Sequence, residues 1–124
     1  MSTILVVDDE PGNVALIRRV MESRGHEVAA AADGEAGIEE VHRVRPDVIL
    51  LDVNMGHLNG FEVCRRLKSD AATRLIPIVM FTGLDDEADR FRGMDAGADE
   101  FFHKPFVLDE LITRVESLMR YARA

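Results

Sequence analysis

The sequence predicts one α/β domain: a parallel sheet with right-handed crossovers and helices on both faces. Three observations lead there. Short apolar runs alternate with amphipathic segments five times along the chain. The runs at 4–7, 48–51 and 78–81 are continuously apolar rather than alternating, as in strands buried on both faces. The length of 124 residues suits a single domain with a real core and leaves little room for two.

The first strand is Ile4-Leu-Val-Val7, ended by Asp8-Asp9. Pro11-Gly12 breaks it, and Pro11 suits the first turn of a helix that Asp9 or Glu10 would cap. Val14, Ile17 and Met21 follow at helical spacing, with Leu16 and Val20 widening the stripe, and Gly25 stops the helix. A weaker strand spans Glu27 to Ala32, mostly Val28 and alanines. Asp33-Gly34 turns the chain into a second helix with Ile38, Val41 and Val44 inward, which Arg45-Pro46-Asp47 stops.

The third strand, Val48-Ile-Leu-Leu51, runs straight into Asp52. The loop Val53 to Gly60 leads to a third helix presenting Phe61, Cys64 and Leu67 and ending near Ser69-Asp70. Pro77 precedes the fourth strand, Ile78-Val-Met-Phe81, ended by Thr82-Gly83. The fourth helix, 86–96, has the thinnest stripe. Only Ala88, Phe91 and Met94 face inward, and Gly93 inside it costs roughly 1 kcal/mol against alanine. The fifth strand is Glu100-Phe-Phe-His103, followed by Lys104-Pro105. The last helix has the best periodicity: Leu108, Leu111, Ile112, Val115, Leu118 and Met119. Asp109 and Glu110 at its start and Arg120 and Arg123 at its end suit the helix dipole.

Charge and composition narrow the function. With 23 acidic against 15 basic residues the net charge is −8, which argues against a nucleic-acid-binding surface. It fits a partner or metal that brings positive charge. One cysteine, Cys64, allows no internal disulfide and reads as a small buried residue. No apolar run approaches the length that crosses a bilayer, and no basic n-region with a cleavage site opens the chain. These features predict a cytoplasmic protein that does not engage a membrane.

In open parallel sheets ligands bind at the carboxyl ends of the strands. The first strand ends in Asp8-Asp9, the third in Asp52, the fourth in Thr82 and the fifth in Lys104. Taken singly, each reads as a cap, a turn former or a solvated residue. Together they gather three carboxylates, a hydroxyl and an ammonium on one edge. Three clustered carboxylates stay ionised cheaply only beside a cation. Oxygen-only ligands suit Mg²⁺, which binds one or two carboxylates plus a phosphate. Lys104 is then a point charge awaiting an anion. A carboxylate beside both can act as a nucleophile towards phosphorus, with Thr82 donating to the phosphoryl group.

The motifs Val-Val-Asp8-Asp9-Glu10-Pro11, Leu-Leu-Asp52-Val-Asn-Met55 with Asn59-Gly60-Phe61, Phe-Thr82-Gly83 and Phe102-His103-Lys104-Pro105-Phe106 occur in this order. Across essentially its whole length the chain resembles a response-regulator receiver domain of two-component signalling. The resemblance implies a flavodoxin-like, doubly wound five-stranded sheet of order 2-1-3-4-5 with five helices. It implies that Asp52 accepts a phosphoryl group from a sensor histidine kinase, a phosphotransfer protein or a small donor such as acetyl phosphate. Mg²⁺ (or Mn²⁺) would be held by Asp9, Asp52 and the backbone carbonyl of Asn54, with Asp8 assisting through water. Thr82 and Lys104 would contact the phosphoryl group, and Lys104-Pro105 resembles the family's cis peptide.

Phe101 matches the family's switch aromatic, paired with Thr82. Two departures stand out. Gly56 replaces the proline that often follows the methionine, so Gly56-His57-Leu58 is expected to be a more flexible loop. Leu84, two residues after Thr82, cannot position an attacking water, which with Asn54 predicts slow to moderate self-dephosphorylation. The output surface is expected on the 86–96 helix, the fifth strand and the last helix, with Arg90, Arg92, Asp95 and Arg114 as contacts. It would serve an output domain or a homodimer. Residues 1–124 form a receiver that is free-standing or the N-terminal part of a longer regulator. Such a chain catalyses only its own phosphorylation and dephosphorylation. The competing reading is a Mg-dependent phosphohydrolase with an Asp nucleophile. Such enzymes usually carry a second acid two positions on, where this chain has Asn54, and it has no cap insertion.

Overall fold

The computed structural model describes residues 2–55, 58–82, 87–103 and 107–123, without the side chains of 87–89 and 121–123. Five strands and five helices alternate: β1 (Thr3–Val7), α1 (Pro11–Ser23), β2 (Glu27–Ala31), α2 (Gly34–Val44), β3 (Val48–Asp52), α3 (Gly60–Ser69), β4 (Ile78–Thr82), α4 (Glu87–Asp95), β5 (Glu100–His103) and α5 (Leu108–Arg123). The strands form one parallel sheet in the order β2-β1-β3-β4-β5. This is the flavodoxin-like order that the resemblance implied. Asp52 and Thr82 are the last residues of their strands rather than the first residues after them.

Strand side chains alternate between the two faces, and each face has its own core. On one, Ile4, Val6, Val48, Leu50, Val79 and Phe81 meet Ile17 and Met21 of α1 and Leu111, Val115 and Met119 of α5. On the other, Leu5, Val7, Ile49, Leu51, Ile78 and Met80 meet Val41 of α2 and Phe61, Val63, Cys64 and Leu67 of α3. β3 is buried along its whole length, as a central parallel strand should be. No helix among the described residues is long and apolar enough to cross a membrane.

The helix starts differ from expectation in one respect. Asp33 caps α2 by accepting the Ala36 N–H at 2.8 Å, and Asn59 caps α3 by accepting the Glu62 N–H at 3.0 Å. Neither Asp9 nor Glu10 caps α1: Glu10 sits at the cap position without a side-chain capping bond to a helix N–H, and Asp8 takes the Glu10 N–H instead. Leu16, expected to widen the α1 stripe, is exposed.

α4 departs most. Phe91 and Met94, expected to face inward, are 72% and 52% exposed; the side chain of Ala88 lies outside the described residues. The inward position belongs to Gly93, and Ala96 just beyond the helix is buried in the same core. A Cβ on Gly93 would stand 2.6 Å from Cδ2 and 2.7 Å from Cε2 of Phe101. The large group at this contact comes from β5, so the helix must supply a small one. A fully buried large aliphatic side chain is worth about 1.5–3 kcal/mol. α5 buries Leu111, Val115 and Met119, whereas none of the described α4 side chains buries a large apolar group. α4 is the more weakly held of the two.

Candidate functional site

The sheet brings the acidic strand ends together by register. Val7 pairs with Leu51, so Asp8 lies level with Asp52 one residue further on. Asp52 pairs with Phe81, and Thr82 follows at once, paired with His103 of β5. Asp8 and Asp52 are 5% and 3% exposed, Thr82 is fully buried, and Asp9 is exposed. One carboxylate oxygen from each of Asp8, Asp9 and Asp52 lies within 4.8 Å of the other two. Among the described residues these form the one group of three or more His, Cys, Asp or Glu so arranged.

Three ionised carboxylates at that spacing repel by about 3 kcal/mol per pair at an effective dielectric of roughly 20. Local N–H donors offset part of this. Asp8 Oδ1 accepts the Glu10 N–H at 2.9 Å, and Asp8 Oδ2 accepts from Asn13 Nδ2 at 3.3 Å. Asp52 Oδ1 accepts the Asn54 N–H at 3.2 Å. The donor set presented outward is oxygen alone, hard and anionic, which fits Mg²⁺ or Mn²⁺ rather than a metal preferring nitrogen or sulfur. The one cysteine, Cys64, is buried in the opposite-face core, and burial pushes its thiol up to about 11.

The backbone around Asp52 is pinned. Val53 N–H donates to the Phe81 carbonyl and Gly60 N–H to the Val53 carbonyl, both at 2.9 Å. A Cβ on Gly60 would stand 2.5 Å from the Asp52 carbonyl oxygen and 2.8 Å from Val53 Cα. Both are backbone atoms with little freedom to give, so the first residue of α3 must be glycine for the helix to seat against the end of β3. Phe101 is 3% exposed, with its ring edge-on to His103 at 5.4 Å and the Arg90 guanidinium 5.9 Å from its centroid.

Asp8, Asp9, Asp52 and Thr82 therefore sit on one sheet edge, as expected from the strand ends. Asn54 is exposed beside them and bonds Asp52 through its N–H. Lys104, the Lys104-Pro105 peptide, Gly56, His57 and Leu84 lie outside the described residues. Asn13 was missed from sequence. Its signal was an amide in the first turn of the helix that starts just after Asp8-Asp9. Gly60 was noted within a motif, but its close approach to Asp52 was not.

The family profile described as the response regulator receiver domain matches residues 4–116. Response regulator PleD of Caulobacter vibrioides is 45% identical over 118 residues, covering 95% of this chain and 26% of that protein. Response regulator MprA of Mycobacterium leprae is 43% identical over 117 residues, covering 94% of this chain and 50% of that protein. The chain thus spans a quarter to a half of the length of these curated relatives. Among solved structures, the receiver domain of the Pseudomonas aeruginosa sensor histidine kinase PA1611 superimposes with a TM-score of 0.86 at 30% identity. The match covers 95% of this chain and 97% of that one, and that structure has a magnesium ion coordinated in the active-site cleft. The receiver domain of Francisella response regulator 1452 gives 0.90 at 28% identity over 98% of both chains.

Proposed function

The chain belongs to the response regulator receiver domain family, and from that premise we propose that Asp52 is its phosphoacceptor. The observation that carries this is the placement of Asp52. It is a carboxylate at the end of the fully buried β3, within 4.8 Å of the Asp8 and Asp9 carboxylates. A carboxylate oxygen of Asp52 attacks the phosphorus of a phosphohistidine on a sensor kinase or phosphotransfer protein. The N–P bond breaks, the imidazole leaves with the electron pair and takes up a proton, and Asp52 becomes an acyl phosphate.

Asp9, Asp52 and the Asn54 carbonyl hold Mg²⁺ in this reading, with Asp8 assisting through water. The bound cation neutralises charge on the phosphoryl oxygens. The magnesium in the cleft of the Pseudomonas receiver supports that assignment, as does the oxygen-only donor set. Thr82 donates its hydroxyl to the phosphoryl group, and Lys104 pairs with it.

The signal leaves through α4, β5 and the outer face of α5. The modification adds roughly −1.5 to −2 charges, and the element with least packing to lose responds most readily. The scarcity of large buried side chains on α4 supports this, together with the exposed Phe91 and Met94. Arg90 and Arg114 flank β5, with Arg114 Nε 3.1 Å from Glu100 Oε2. Phe101 follows Thr82 by packing alone, since phenylalanine has no hydroxyl. This face serves a following output domain or a homodimer. The domain works in the cytoplasm and binds neither nucleic acid nor membrane. Leu84 makes its self-dephosphorylation slow to moderate.

The test is incubation with acetyl phosphate and Mg²⁺, read by intact mass. One phosphoryl group is expected on the native chain, and none on Asp52→Ala or with the metal chelated. Steady turnover of a panel of phosphate esters would favour a phosphohydrolase and overturn the reading.

A further inference from the structure

The first turn of α1 lies over the acidic site, and Asn13 is its inward-reaching polar residue. Its side-chain nitrogen stands 3.3 Å from Asp8 Oδ2 and 3.4 Å from Glu10 Oε2. One amide therefore spends both hydrogens on two different carboxylates. Its backbone N–H donates to the Glu10 carbonyl at 3.1 Å, which fixes where the side chain starts. Asp8 is otherwise bonded at its other oxygen by the Glu10 N–H at 2.9 Å. Each oxygen of this buried carboxylate thus has its own donor, and the carboxylate plane is set by residues of one helical turn.

Glu10 is the second half of the arrangement. It is exposed, and on its own an exposed glutamate samples many rotamers. The Asn13 amide ties it to Asp8 at the rim of the site. We infer that Asn13 is a positioning residue for the cation site: it fixes Asp8 and holds Glu10 as a fourth carboxylate at the mouth, and so raises Mg²⁺ affinity. The inference rests on the reading above, in which Asp9, Asp52 and the Asn54 carbonyl hold the cation and Asp8 assists through water. Two physical effects run together. Oriented supporting groups improve the affinity of the ligands they hold, and the affinity of oxygen sites for hard cations rises with the number of charges gathered around them. Neither needs Asn13 or Glu10 to touch the ion.

The experiment is calorimetric titration of the unphosphorylated chain with MgCl₂ alone. Asn13→Ala is expected to weaken binding about tenfold, the lower end of what loss of such a supporting group costs. Asn13→Leu keeps the shape without the N–H and is expected to lose the same. Glu10→Gln is expected to lose about threefold, as for one screened charge, and that loss should shrink at about 0.5 M salt. In the Glu10→Gln background the Asn13→Ala loss should be smaller than in the native chain, because half of what the amide holds is gone.

Binding by Asn13→Ala within twofold of the native chain overturns the inference, as does native affinity in Asn13→Leu. A drop in thermal midpoint without metal that parallels the loss of affinity marks a general structural role and overturns it too. If the native chain shows no saturable Mg²⁺ binding that Asp9→Asn abolishes, the cation-site reading itself fails, and the inference with it. If the native chain binds Mg²⁺ saturably, Asp9→Asn abolishes the binding and the Asn13 variants bind as the native chain does, the cation-site reading stands and the inference alone falls.

Discussion

Gly93→Ala sets two opposed effects against each other, and the structure decides between them. Alanine is the better helix former by about 1 kcal/mol in a helix interior, and Gly93 lies inside α4. An exposed site would show that gain. Here the added Cβ would fall 2.6 and 2.7 Å from two carbons of the Phe101 ring and 3.4 Å from Met80 Sδ. Carbon atoms pack best at about 3.5–4.0 Å, so the overlap with the ring is about 1 Å. Phe101 and Met80 are both buried, at 3% and 0% exposed, so the ring cannot retreat into open space. Overpacking of this kind costs about 1–3 kcal/mol, and its upper range applies where the obstacle is a confined ring. The net is a loss of about 1–2 kcal/mol, or about 4–8 °C in thermal midpoint for a domain of this size. Urea denaturation followed by far-ultraviolet circular dichroism measures it. A variant as stable as the native chain, or more so, would refute the reasoning, because it would mean that α4 lifts away at no cost.

Two further perturbations separate packing from charge. Gly12→Ala is the same chemical change at a site where the new Cβ meets nothing within 4 Å; it should stabilise by about 0.5 kcal/mol, and a loss in the same urea experiment would contradict this. The Glu116 carboxyl on α5 is held down at about 2 by hydrogen bonds from Arg24, at 2.7 and 2.8 Å, and by His26 at 2.9 Å. Its folded value lies below the ordinary 4.5, so the stability it contributes is complete above pH 4.5 and is lost as pH falls towards 2. Glu116→Gln should therefore lower the urea midpoint at pH 7 and converge on the native chain near pH 2. A difference that stays constant from pH 7 to pH 3 would exclude the ion-pair account.

Much of the fold was legible because parallel strands announce themselves. The runs at 4–7, 48–51 and 78–81 are apolar on both faces, and all three form the buried centre of the sheet. Once they are strands of one parallel sheet, Asp8, Asp9, Asp52 and Thr82 must share an edge, and that needs no knowledge of loop detail. The strand order was another matter. Periodicity is blind to which strands neighbour which, and only the likeness to receivers supplied it. Asn13 stayed hidden because acidic and amide residues at a helix start are first read as caps. Here Glu10 at the cap position accepts no helix N–H through its side chain, and the Asn13 amide donates to Asp8 instead.

The error in α4 has a more general cause. An amphipathic reading assumes that the largest apolar residues of a helix face the core, because burial rewards them most. That holds when the surface beneath the helix is flat. Beneath α4 it is not flat, since the Phe101 ring stands up from β5 into the position a helix side chain would fill. The volume at this contact is shared between two elements, and packing at native density constrains the sum rather than either part. A glycine opposite a phenylalanine satisfies it as well as a leucine opposite an alanine, but only the second pattern shows in the periodicity of the helix. A helix held this way keeps little apolar area in its own side chains and leaves Phe91 and Met94 to solvent. Its position then depends on where one ring sits. The feature that made α4 misleading in the sequence is for that reason the one through which any displacement of Phe101 would reach the helix.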